Sequence, residues 1–294
     1  MSSIDKGALT VLDRTKPCPS GAVYAHMETR ASAKSIVLAA SRIGVGVDAA
    51  DCVVDAYRGS SVTAGVFTGK MYSGKDTVAD QVAAALHVPG SPEAERHTVS
   101  DGIREEYAQI LRIIKDASGP KVALKNLCGE MNLDDRPANY FVSSLFTVLR
   151  EQDIDANERT PLNRTMTIYL ADDGRRSADP EYWVKVSFRR MLSALSTGHS
   201  AYLAGCRYPN EISPALALGI HTTRLEISHE VQAQRGLARD GHLPDPKVIL
   251  GVNECALDEF TGLNLIVGND DDIETTLGVI TEDFHSHAER AAAI

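Results

Sequence analysis

The chain reads as an α/β protein with a mainly parallel sheet covered on both sides. Three observations predict this. The apolar run Val62–Phe67 leads into Gly69-Lys70-Met71-Tyr72-Ser73-Gly74-Lys75, so a buried strand ends in a glycine-rich loop. Behind the loop, Val78, Val82 and Leu86 recur four apart, one face of a helix. Further apolar runs at 201–205, 222–228 and 263–267 alternate with helical patterns, the signature of strands joined by crossover helices.

The elements follow in order. The first 30 residues are polar, carry Pro17, Pro19 and Gly21, and read as irregular. Residues 31–57 carry Ile36, Val37, Leu38 and Ala39, then Val53, Val54 and Ala56, with Gly44 and Gly46 between, which predicts two short helices broken at the glycines. Residues 1–60 are thus a partly helical N-terminal extension, read as a packing extension or oligomer contact, and 61–294 are the main domain. Helical patterns cover 77–87, 102–116, 121–131, 138–150 and 181–197. In the last, Val184, Phe188, Met191 and Leu195 form an apolar stripe led by Trp183, itself read as core. Residues 229–250 are polar and rich in breakers, with Arg235, Arg239, Gly241, Pro244 and Pro246. They read as a surface loop or as a lid whose arginines close over phosphates.

The loop carries the chemistry. The Gly-x4-Gly-Lys spacing lets successive backbone N–H groups curl around a polyphosphate, and the following helix points its positive end at it. Gly69, Ser73, Gly74 and Lys75 are the phosphate-binding candidates. A hydroxyl residue usually follows the lysine and meets Mg²⁺. Here Asp76 follows, then Thr77, and the sequence does not choose between the Asp76 carboxylate and the Thr77 hydroxyl.

Composition bounds the rest. Five scattered cysteines without a Cys-x-x-Cys pair argue against structural zinc and fit reduced thiols. His285 and His287 read as a solvated terminal helix rather than a metal pair. The net charge of −10 disfavours stable nucleic-acid or membrane partners and makes clustered arginines informative. No stretch approaches the roughly 18 apolar residues that span a bilayer, and the first residues lack the apolar core of a signal peptide. A cytoplasmic protein is expected.

Three segments together resemble the phage-type deoxynucleoside monophosphate kinases, P-loop proteins of the adenylate kinase-like class. They are Gly-Lys-Met-Tyr-Ser-Gly-Lys-Asp-Thr at 69–77, Arg-Tyr-Pro-Asn-Glu at 207–211 and Asn-Glu-Cys-Ala-Leu-Asp at 253–258. Thr160–Trp183, with Arg164, Gly174-Arg175 and Asp179-Pro180, and Asn269-Asp270 after the last strand add to the likeness, which spans residues 61–280. The resemblance implies a three-layer α/β/α P-loop kinase fold with a lid near 229–250 and Mg²⁺. It also implies ATP as donor, a deoxynucleoside monophosphate as acceptor, often a homodimer, and the host cytoplasm for a phage-encoded member. It carries Arg207 and Glu211 over to the site, and Arg235 and Arg239 to the lid. The chain departs from the family two positions before Arg207, where Gly205 replaces an acidic residue. Three readings stand: another carboxylate such as Asp76 or Asp101 serves, the enzyme is slow, or nucleotide is bound without turnover.

In this reading Lys75 and the loop amides hold the donor phosphates, and arginines clamp the acceptor phosphate bidentately. The acceptor-side candidates are Asp101, Arg104, Arg164, Arg175, Arg207 and Glu211. Asp101 reads equally as a helix cap, Arg164 and Arg175 as surface ion pairs, and Glu211 as a brace for Arg207. Asn269 is placed to approach the ATP base or to form a turn. Competing functions are a P-loop kinase of a modified base in DNA or of a small phosphorylated metabolite, and a non-catalytic nucleotide-binding protein.

Overall fold

A computed structural model describes residues 14–27, 31–59, 62–158, 160–243 and 245–292. In chain order the elements are β1 (Val23–His26), α1 (Ala33–Ile43), α2 (Val47–Gly59), β2 (Ala64–Gly69), α3 (Lys75–Ala85), β3 (Glu95–Thr98), α4 (Val99–Asp116), α5 (Pro120–Glu130) and α6 (Asp135–Leu145). Then come α7 (Val148–Glu151), α8 (Pro161–Tyr169), a π-helical stretch (Leu170–Arg176), α9 (Tyr182–Ser196), β4 (Ala201–Cys206), α10 (Pro209–Ala217), β5 (His221–Glu226), α11 (His229–Asp240), α12 (Pro246–Ile249), α13 (Val252–Cys255), β6 (Leu265–Gly268) and α14 (Ile273–Ala292). Two compact units result, one of residues 1–97 with 188–294 and one of residues 98–187.

The first unit holds a six-stranded sheet in the order β1-β6-β5-β2-β4-β3. β2 pairs in parallel with β4 and β5, and β5 with β6, while β1 closes one edge antiparallel to β6. The fold is therefore α/β with a mostly parallel sheet, as the alternation of apolar runs and helical patterns predicts. Phe67, Tyr202, Leu225 and Val267 project into a core shared with Val78 and Val82 of α3 and Ile280 and Phe284 of α14. Their neighbours of opposite parity, Val66, Leu203 and Ile266, are buried as well. A central strand needs apolar residues at every position for this. α10 packs on β2 and β5 and against α1, whose buried Ile36, Ala39, Ala40 and Ile43 make its inner stripe.

Two sequence expectations change here. The described residues before the loop, 14–27 and 31–59, share the compact unit of the glycine-rich loop, and β1 lies within the stretch read as irregular. The remaining main-domain residues divide, because 98–187 form their own unit. The break between the two predicted helices falls where expected, with Gly44 in the left-handed conformation at the end of α1. The side chains of Val53 and Ala56 lie outside the described residues. The predicted helix 138–150 is two helices, α6 and α7. Residues 229–240, expected to be loop or lid, form the continuous helix α11, capped by the Ser228 hydroxyl on Val231 N–H and ended by Gly241.

β5 is fully buried yet mostly polar, so each polar side chain has an internal partner. His221 is wholly inaccessible; its Nε2 lies 2.6 Å from Asp283 of α14 and its Nδ1 3.2 Å from the Thr223 hydroxyl. His287 is also buried, 2.8 Å from the Gly219 carbonyl oxygen and edge-on to His221, which corrects the expectation of a solvated tail. Burial drives the His221 pKa down to about 4. An unfolded histidine takes up its proton near 6.5, so stability is lost as pH falls from about 6.5 toward 4. Between pH 7 and pH 5 this one group should cost about 2 kcal/mol. Urea melts at both values should show His221→Gln losing that much less than the unmodified chain; identical losses would contradict the assignment.

In the second unit Trp183 is buried and donates to the Ala171 carbonyl, and the buried Tyr107 hydroxyl donates to Asn163. Among the described residues no helix is long and apolar enough to cross a membrane.

Candidate functional site

The site lies where β2 and β4 end. The chain leaves β2 for α3, which packs with α14, and leaves β4 for α10, which packs with α1. Adjacent strands whose connections part in this way open a crevice at their carboxyl ends. Thr68, Gly69 and Lys70 line one wall of it and Cys206 and Arg207 the other, with Arg224, Glu254 and Leu257 around them.

The loop from Gly69 to Lys75 turns tightly. Gly69 has φ +146°, and a Cβ there would sit 2.6 Å from Ser73 Oγ and 2.7 Å from the Leu225 carbonyl oxygen. Tyr72 takes a left-handed φ of 66°. The carbonyl oxygens of residues 70–73 are all held by donors. Lys70 O accepts from Ser73 N–H, Met71 O from Gln232, Tyr72 O from Arg235, and Ser73 O from Asn269 Nδ2 at 2.8 Å and from Arg235. With the carbonyls held on one side, the N–H groups of Gly74, Lys75, Asp76 and Thr77 find no acceptor among the described residues. They are the open donors of the first turn of α3. Ser73 Oγ is likewise buried without a partner.

Lys75 opens α3 with its side chain 7% exposed. No acceptor for its ammonium group is found among the described residues. Burial, with the added repulsion of Arg207, lowers its pKa to about 8. A buried cation beside open amide donors is a place prepared for an anion.

Behind this nest lies a network of buried charge. Lys70 Nζ pairs with Asp258 at 2.8 Å; Arg224 pairs with Glu226 at 2.5 Å and Asp258 at 2.8 Å; Arg14 pairs with Glu226. Burial works against the Asp258 charge, yet the Lys70 hydrogen bond and the Arg14 and Arg224 guanidinium groups hold its carboxyl below the ordinary range. Glu254, missed in the sequence as a site residue, accepts Met71 N–H at 2.6 Å and pairs with Arg207.

Of the residues singled out from sequence, the structure gathers Gly69, Ser73, Gly74, Lys75 and Arg207. Asp76 and Thr77 share the first turn of α3 and are exposed; Asp76 Oδ1 stands 4.0 Å from Arg96. Arg235 is spent on the carbonyls of Asn269, Asp270 and the loop, so it is a strut rather than a closing arginine. Arg239 lies over the Tyr72 ring at 4.4 Å and pairs with Asp240, which also accepts from the Tyr72 hydroxyl. Asn269 is buried under the loop and its side-chain amide donates to the Ser73 carbonyl. Glu211 is buried and accepts Arg207 N–H at 2.6 Å and Tyr208 N–H at 3.3 Å. It braces the strand-end turn, as the brace reading expects.

Asp101 accepts Thr98 N–H at 2.8 Å in a reciprocal cap, with Arg104 beside it at 3.4 Å. Its helix-cap reading therefore holds. Arg164 is exposed on α8. Arg175 is buried, donates to the carbonyls of Met131 and Asn132, pairs with Glu106 and lies over Tyr182 at 4.7 Å. These contacts tie its own unit together, and in this structure its guanidinium is engaged by them.

Gly205 has a physical explanation. It is the extra residue where the β2–β4 register slips between Phe67/Ala204 and Thr68/Cys206, with φ +83°. A side chain there is strained, although space for it is open. Compared with models of known protein families and with curated proteins, the chain matches none.

Proposed function

We propose that the chain is a P-loop nucleotide kinase of three-layer α/β/α architecture, transferring the terminal phosphoryl group of ATP to a deoxynucleoside 5′-monophosphate. The observation that carries this reading is the fixed loop. Its carbonyls are bound from behind by Gln232, Arg235 and Asn269, while the amides of Gly74 to Thr77 and the Lys75 ammonium find no acceptor among the described residues. Such an array selects a polyphosphate over a single carboxylate, because only a polyphosphate spans several donors at once.

The donor set fits Mg·ATP. Mg²⁺ that enters with phosphates needs only one or two protein oxygens, and Asp76 and Thr77, on the first turn of α3, supply a carboxylate and a hydroxyl. The metal provides charge neutralisation on the phosphates. The loop amides hold the donor and keep it in line. Lys75 places its charge on the terminal phosphates. Arg207, at the end of the neighbouring strand, lines the crevice and would receive the acceptor phosphate there, where its planar fork suits a phosphate better than lysine does.

A second reading is a nucleotide-binding protein without turnover. It is favoured by Gly205, a residue of β4 that itself carries no carboxylate. ATP consumption with Mg²⁺ across all ribo- and deoxynucleoside monophosphates separates the two. Turnover of at least one deoxynucleotide supports the kinase. Binding of ATP with no product from any acceptor supports the second.

A further inference from the structure

The geometry points to Glu254 as the positioning residue for Arg207. This rests on the kinase reading and extends it to the acceptor side of the crevice.

The Glu254 side chain is 4% exposed. A carboxylate so buried is costly unless both its oxygens are engaged, so its partners say what it is for. One is Met71 N–H within the phosphate loop; the other is the Arg207 guanidinium. Glu254 therefore fixes the distance between the loop that holds the donor and the arginine that receives the acceptor. These are the two parts that in-line transfer must keep in register.

The segment that carries it is built for that task. α13 is only four residues long; Leu250 just before it and Val252 at its start are 66% and 74% exposed, and Leu257 is the buried apolar side chain of the segment. Charge holds it as well: Asp258 grips Lys70 and Arg224, the Leu257 carbonyl accepts from Arg224, and Glu254 grips Arg207 and the loop. The short segment from Glu254 to Asp258 is a clasp across the ends of β2, β4 and β5.

The test is a double-mutant cycle of Glu254→Gln and Arg207→Lys. Gln keeps the size and one acceptor but cannot serve both Met71 N–H and the guanidinium. Glu254→Gln alone should raise the acceptor KM about tenfold, as expected when one partner of a buried charge pair is neutralised. The dissociation constant of a magnesium-loaded, non-hydrolysed ATP analogue should change less than about twofold. In the Arg207→Lys background, Glu254→Gln should add almost nothing, and Glu254→Asp should recover part of the loss. Independent, multiplying losses overturn the proposal, as does an equal weakening of ATP-analogue and acceptor binding. If the unmodified chain turns over no acceptor, the kinase reading fails. The same cycle is then read in the dissociation constant of inorganic phosphate with the loop already filled by the ATP analogue, so that the phosphate measured is the one held by Arg207. Loss of phosphate binding in both single variants without further loss in the double keeps the positioning role, and unaltered binding in Glu254→Gln removes it.

Discussion

Lys75→Ala is expected to lower nucleotide-dependent turnover by about 10²–10³-fold, the scale for removing one prepared charge donor from a phosphoryl or oxyanion site. The reason is the environment of the ammonium group. It is buried, lacks an acceptor among the described residues, and adjoins the open amides of the first turn of α3. A cation kept in that state works against folding, and its pKa of about 8 expresses the cost. In the folded chain the group gives up its proton more readily than in the unfolded chain, so its penalty is fully present below about pH 8 and fades toward 10.5.

A neutral replacement of similar length should therefore be more stable. Lys75→Met is expected to gain about 1–3 kcal/mol in urea melts at pH 7 while losing activity, a trade of stability for function. ATP affinity of the unmodified chain should also fall as pH rises through about 8, because the free protein then loses the charge that meets the phosphates. A Lys75→Met chain that is both active and no more stable would remove the lysine from the role given to it.

Gly268→Ala is expected to cost about 3 kcal/mol, at the upper end of ordinary overpacking. A methyl group at this position would lie 2.2 Å from the Pro19 carbonyl oxygen and 2.8 Å from that of Cys18, both main-chain atoms with no rotamer to yield. The segment they belong to is tied down. Cys18 N–H donates to Asp270 at 2.5 Å, Asp270 N–H returns to Cys18 O, and Gly21 N–H donates to Gly268 O. The methyl must therefore lift the stretch that leads into β1, and with it Arg14, whose departure leaves Glu226 short of a partner. Thermal and urea melts measure the loss. A change below about 0.5 kcal/mol, the range of an ordinary surface substitution, would show that the first residues are the passive extension their composition suggests.

What could be read from sequence and what could not follows from the range of the interactions. β2, the loop and α3 were legible because their signals are local: an apolar run, a fixed glycine spacing and a four-residue apolar repeat. β1 was not, since Val-Tyr-Ala-His has no alternation of its own and is a strand only through its partner β6, more than 230 positions away. α11 was hidden by its surroundings. Its twelve residues are mostly good helix formers behind a serine cap, but the breakers Gly241, Pro244 and Pro246 crowd the same stretch.

The candidate site divides in the same way. Asp101 and Glu211 carry the spacing of capping residues, and a cap looks the same in sequence as a substrate carboxylate. Arg175 resembled a phosphate ligand because its partner Glu106 lies 69 positions away. Glu254 stands 183 positions from Met71; the sequence marked it only as part of the segment 253–258, which gave it no role. The departure at Gly205 was visible in the sequence, but its cause, a bulge between β2 and β4, was not.

Calorimetric titration of a magnesium-loaded, non-hydrolysed ATP analogue into the folded chain at pH 7, with tripolyphosphate as the base-free control, tests the phosphate nest most directly. Saturable heat with both ligands, lost in Lys75→Ala, is the predicted result. A well-folded chain that gives no heat with either ligand, and no rise in melting temperature in their presence, would contradict it.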